Sequence, residues 1–144
     1  RQQPALSGDG RLLASLVERA GRTTVLLQDR QSGRVLPLRH LRNRQPHSSP
    51  SLSWNGRYVA ALVQQGNQRL ALIEDRANGN LHRLPLPADR TAVRLSLSPE
   101  ARQLAVQVAQ AGQWRVQLFD LRSLLEPDLP GGLAVQGGGA QPSP

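Results

Sequence analysis

The sequence predicts an all-β chain made of three copies of one four-stranded unit, and three observations carry that prediction. A six-residue motif, Leu6-Ser7-Gly8-Asp9-Gly10-Arg11, returns as Leu52-Ser53-Trp54-Asn55-Gly56-Arg57. It returns again, weakened, as Leu97-Ser98-Pro99-Glu100-Ala101-Arg102, at steps of 46 and 45 residues. A second landmark keeps the same steps, since Asp29, Asp75 and Asp120 each close an apolar run. Finally, the apolar runs are short, and Gly- or Asn-bearing turns break them every 8–12 residues or so, which is a pattern of strands and not of helices.

Each copy is read in the same order. The Asp9-Gly10 and Asn55-Gly56 dipeptides join a first strand to a second, because Gly takes positive φ freely and the Asx side chain caps the turn. In the first copy the second strand is Leu12 to Val17. A turn around Gly21 follows, then a β-branched and apolar strand from Thr24 to Leu27. Asp29 to Gly33 is a turn whose Asp accepts backbone N–H groups, and Val35-Leu36-Pro37-Leu38 is a short outer strand. Its Pro suits an edge, where a missing N–H has no ladder partner to lose. The second copy repeats this with Tyr58 to Val63, a turn at Gly66-Asn67, Leu70 to Ile73, a turn at Asp75 to Gly79, and Leu81 to Leu86. The third offers Gln103 to Val108, a turn around Gly112, and Trp114 to Phe119. It carries Glu100-Ala101 in place of Asp-Gly and no Gly four residues after Asp120, so its turns are expected to be the least ideal. Asp9, Gly10, Asn55, Gly56, Asp29, Asp75 and Asp120 are read as structural turn residues.

A period near 45 residues with four strands per copy is the signature of a β-propeller blade. The expected organisation is three blades, at about residues 4–47, 48–91 and 92–126, followed by a Gly/Pro-rich flexible tail at 127–144. The Leu-Ser-x-Asp-Gly-Arg-x-x-Ala pattern of Leu6 to Ala14, and its second copy Leu52 to Ala60, resembles the repeat of TolB-type propellers. It also resembles the N-terminal propellers of prolyl-oligopeptidase-like enzymes. The TolB resemblance implies a non-catalytic protein-binding or scaffold role, and a periplasmic or other extracytoplasmic location. The chain lacks TolB's N-terminal α/β domain and has half its blades. The peptidase resemblance implies at most the propeller part of such an enzyme, since no Gly-x-Ser-x-Gly elbow is present.

Composition narrows the chemistry. There is no Cys, which removes disulfides and thiolate chemistry. His40, His47 and His82 show no ligand spacing, so no metal, cofactor or catalytic residue is expected. No apolar run reaches the roughly 18 residues that span a bilayer. The chain has no Met, and its start reads as a trimmed or processed end. All 18 basic residues are Arg against 10 acids, a net charge of +8. That balance suits nucleic acid, anionic lipid or an acidic protein complex, for which the chain would be a basic accessory subunit. Nucleic acid is disfavoured, because Trp54, Tyr58, Trp114 and Phe119 are the only aromatics and make a thin stacking platform. Blade topology gathers Arg19, Arg22, Arg39, Arg42, Arg44 and Arg90 on one basic face, the expected site for an acidic partner.

Closed propellers have four to eight blades or so. Three blades leave open ends whose strand backbone invites pairing. The expected solutions are a homodimer closing six blades, or a subunit of a larger complex.

Overall fold

The computed structural model describes residues 2–41 and 46–131, and these form three antiparallel sheets without a helix. Blade one is β1 (Gln2–Leu6), β2 (Leu12–Arg19), β3 (Arg22–Asp29) and β4 (Val35–Leu36), in that spatial order. Blade two is β5 (His47–Leu52), β6 (Tyr58–Gln65), β7 (Gln68–Asp75) and β8 (Leu81–Pro85). Blade three holds β9 (Thr91–Leu97), β10 (Gln103–Gln110) and β11 (Gln113–Asp120).

Among the described residues blade three has three strands where four are expected, and the turn chemistry explains why. In blades one and two, Asp29 and Asp75 cap their turns through Oδ1, which accepts Gln31 N–H at 2.8 Å and Ala77 N–H at 2.9 Å respectively. Gly33 and Gly79 then take φ of 73° and 78° and launch the outer strand. At the matching place blade three has Leu124. The Leu124 and Leu125 N–H groups instead bond back to the Leu121 carbonyl, at 3.0 and 2.8 Å. Leu121 and Leu125 are buried between blades two and three, so the chain folds inward where an outer strand would begin.

The motif turns do what the sequence requires of them. Ser7 Oγ donates to Asp9 Oδ1 at 2.6 Å and accepts Leu12 N–H at 3.0 Å, while Asp9 Oδ1 accepts Arg11 N–H. The three turns are also linked to one another. Asp9 N–H bonds to the Trp54 carbonyl and Trp54 N–H to the Pro99 carbonyl. Gly8 makes this approach possible, because a Cβ there would come within 2.6 Å of Trp54 Cε3.

Two apolar layers hold the blades together. Leu12, Ala14, Leu16, Val25 and Leu27 of blade one meet Val59, Ala61, Val63, Leu70 and Leu72 of blade two. The opposite face of blade two, Tyr58, Ala60, Leu62, Ala71 and Ile73, meets Leu104, Val106 and Val108 of blade three. Blade two is thus buried on both faces, which accounts for the near-continuous apolar runs of β6 and β7. Side chains also bind the inner strands: Ser49 Oγ and Ser51 Oγ accept the N–H groups of Leu95 and Leu97, both at 2.9 Å.

Candidate interaction surface

Blade three presents the surface that the rest of the molecule would lead one to find covered. In β11, Trp114, Val116 and Leu118 alternate along one face and are 64%, 66% and 62% exposed. Asp75 and Asp120 are 45 residues apart. On that step Val116 and Leu118 correspond to Ala71 and Ile73, which are fully buried against blade three. The other face of β10, Leu104, Val106 and Val108, packs on blade two. Blade three therefore offers solvent the face that blades one and two each use to receive the next blade. Contiguous exposed apolar surface of this kind marks an interaction site.

The edge of the same sheet is open. The hairpin turn Ala111-Gly112, with φ of 50° and 77°, pairs Gln110 with Gln113 and fixes the register Val108↔Arg115 and Val106↔Gln117. In an antiparallel pair the residues between these exchange no bonds with the partner strand. Trp114, Val116 and Leu118 thus direct both side chains and backbone groups to surfaces that no described strand covers. Blade two shows the filled counterpart: β8 lies along β7, pairing Ala71 with Leu84 and Ile73 with His82.

A strap of residues 121–129 crosses from blade three to the motif turn of blade two. Asp128, assigned to the flexible tail by the sequence reading, is only 6% exposed. Its carboxylate accepts Ser53 Oγ–H at 2.5 Å, Asn55 N–H at 2.8 Å and the Asn55 side-chain amide at 2.8 Å. The Tyr58 hydroxyl donates to the Glu126 carbonyl at 2.7 Å, and burial raises its pKa. In blade one Asp9 supplies a carboxylate to its own turn; in blade two position 55 is Asn, and Asp128 supplies one from a distance.

The predicted basic face is divided. Arg19 and Arg22 lie opposite each other at the β2–β3 turn and are exposed, and Arg90 precedes β9 with its guanidinium donating to Gln117 Oε1 at 3.1 Å. Arg39 lies at the other end of the blades, against Gly79. The cause is Glu74, 1% exposed, whose carboxylate accepts the N–H groups of Arg39, His40 and Leu41 at 2.9, 2.7 and 3.1 Å and draws the connection across. Arg42 and Arg44 lie outside the described residues. The turn acids engage local donors. Backbone N–H groups of Ser32 and Gln31 lower the pKa of Asp29, and the Arg122 side chain, with its N–H, brings Asp120 to about 2. Asp75 holds Arg57 through two bonds of 3.0 Å. Among the described residues no group of three His, Asp or Glu could hold a metal ion, and no helix is long and apolar enough to cross a membrane.

Three stacked blades with an uncovered last face define a partial β-propeller. More particularly, the fold is that of a TolB-type propeller segment. The chain is similar to TolB from Acinetobacter baumannii, with 17% identity and a TM-score of 0.65 over 84% of this chain and 30% of that one. It is similar to putative TolB from Agrobacterium tumefaciens, with 18% identity and a TM-score of 0.65 over 81% of this chain and 44% of that one. The β-propeller domain of Myceliophteria thermophila Cps50 (Swd1) matches at 22% identity and a TM-score of 0.58, over 83% of this chain and 38% of that one. This chain thus spans less than half the length of each. No family model matches the chain, and no curated protein matches it.

Proposed function

We propose that this chain acts without catalysis, as a protein-binding or scaffold propeller segment, and that the open third blade is where it binds. The observation that carries this reading is the exposure of Trp114, Val116 and Leu118 at positions where blade two is closed by its neighbour. A partner that covers them removes a large apolar area from water, and each such side chain contributes about 1.5–3 kcal/mol when fully buried. We place the partner on a different polypeptide and not in a six-bladed homodimer. Ring closure by a second copy would dock blade three on the Ser15, Thr24 and Leu26 face of blade one, and those residues are already buried. An extracytoplasmic location is proposed from the TolB-type likeness alone. The exposed pair Arg19 and Arg22 supports a second, salt-sensitive contact with acidic groups of the partner.

The test places a photo-activatable cross-linking residue at Val116 of the full chain in the producing cell, and separately at exposed Gln31 in the β3–β4 turn. The expected result is one discrete protein adduct from position 116 and none from position 31. Equal labelling at the two positions, or no adduct at 116, would remove the reading.

A further inference from the structure

We propose that the free edge of β11 accepts an extended segment of another polypeptide as the missing fourth strand of blade three, an inference that rests on the third blade being the binding surface. The vacancy is specific. The same position is filled by β4 in blade one and by β8 in blade two, and both run antiparallel to the strand they cover. In blade three the corresponding backbone groups of Trp114, Val116 and Leu118 face outward, on a strand whose side chains on that row are apolar and uncovered. An edge of this kind is a template for strand addition, with main-chain bonds giving affinity and alternate side chains giving specificity.

Blade two also defines the chemistry of the segment. β8 sets Leu84 beside Ala71 and Leu81 beside Glu74. Both leucines pack, partly buried, against the apolar layers on either side of the blade. On the 45-residue step between Asp75 and Asp120, Ala71 corresponds to Val116 and Glu74 to Phe119. The incoming strand therefore carries two apolar residues three positions apart, one against Val116 and one against Phe119, and runs antiparallel to β11. Polar or basic residues suit the positions between, as with His82 and Arg83 in β8.

The experiment titrates the isotope-labelled full chain with a synthetic peptide reproducing residues 79–87, the β8 segment, and reads amide shifts and amide exchange. The expected result is a set of shifts centred on Trp114, Val116 and Leu118, with exchange at these amides slowed about tenfold at peptide concentrations near ten times Kd. A peptide with both leucines replaced by Asp should leave the spectrum unchanged. Val116→Pro in the full chain removes one outward N–H without touching the β10 ladder and should abolish the response; Val116→Lys gives the same reading if the proline variant does not fold. No response at millimolar peptide, or shifts elsewhere in the molecule, overturns the proposal. Protection that rises with protein concentration alone makes the occupant a second copy, and protection lost in a chain ending at Gly131 makes it residues 132–144. Either outcome also overturns it. A Val116 cross-link without a peptide response would keep the third blade as a binding surface and remove strand pairing.

Discussion

His47 shows how one buried polar side chain is tolerated and what it costs in acid. It sits at the start of β5, 4% exposed, with Nδ1 accepting the Val25 N–H at 3.3 Å, so the ring is neutral with its proton on Nε2. Burial lowers its pKa from 6.5 to about 4. The unfolded chain takes up a proton between those values that the folded chain refuses. Stability is therefore fully present above pH 6.5 and falls as pH drops towards 4, by up to about 3 kcal/mol. His47→Gln keeps an acceptor and removes the titration. Urea midpoints of wild type and variant should diverge across that window, with the wild type losing more; parallel curves would show that His47 titrates normally. The burial of His47 is not legible in the sequence, because nothing local marks that β5 is an inner strand packed against blade one.

At the scale of the element, the strap is the feature the sequence concealed. Asp128 lies among Pro127, Pro130 and Gly131, a composition that reads as linker. The signal was in the repeat: Asn55 stands where the first copy has Asp9, so the second turn lacks a carboxylate of its own. Asp128→Ala leaves the donors of Ser53 and Asn55 without their acceptor and should destabilise the fold by about 2–4 kcal/mol. Glu126→Ala should cost little, since that side chain is largely exposed and reaches Arg57 only at 3.6 Å. Chemical denaturation of the two variants checks the contrast, and equal losses would mean that Asp128 does not anchor the strap. By comparison, the Asp9-Gly10 and Asn55-Gly56 turns were legible because turn chemistry is local. The absence of Gly at position 124 was legible too, but only as a poorer turn. That no outer strand directly follows β11 among the described residues depends on Leu121 and Leu125 finding the core, a non-local event.

At the scale of the whole molecule, the repeat period gave the blades and their order, but not which faces stay open. β11 reads Trp114, Val116 and Leu118 on one row and Phe119 on the other. Alternation alone assigns the larger apolar row to a core, whereas in the described residues that row is 62–66% exposed. The stacking direction decides the matter, and it emerges only when Ala71 and Ile73 are seen to face blade three. Likewise the basic residues looked like one face, until Glu74 drew Arg39 to the opposite end. Stability should be graded across the arc, since the main strand contacts among the described residues join neighbouring blades and blade two is held on both sides.

The measurement that bears most directly on the open third blade is residue-resolved amide exchange of the full chain alone, at low concentration. The amides of Val59 to Val63 and Leu70 to Ile73 should be the most protected. Those of Trp114, Val116 and Leu118 should exchange close to the rate of an unstructured chain, while Arg115 and Gln117 between them are held by β10. Protection of Trp114, Val116 and Leu118 equal to that of their neighbours would mean that the edge is already paired and that blade three is not a vacant surface.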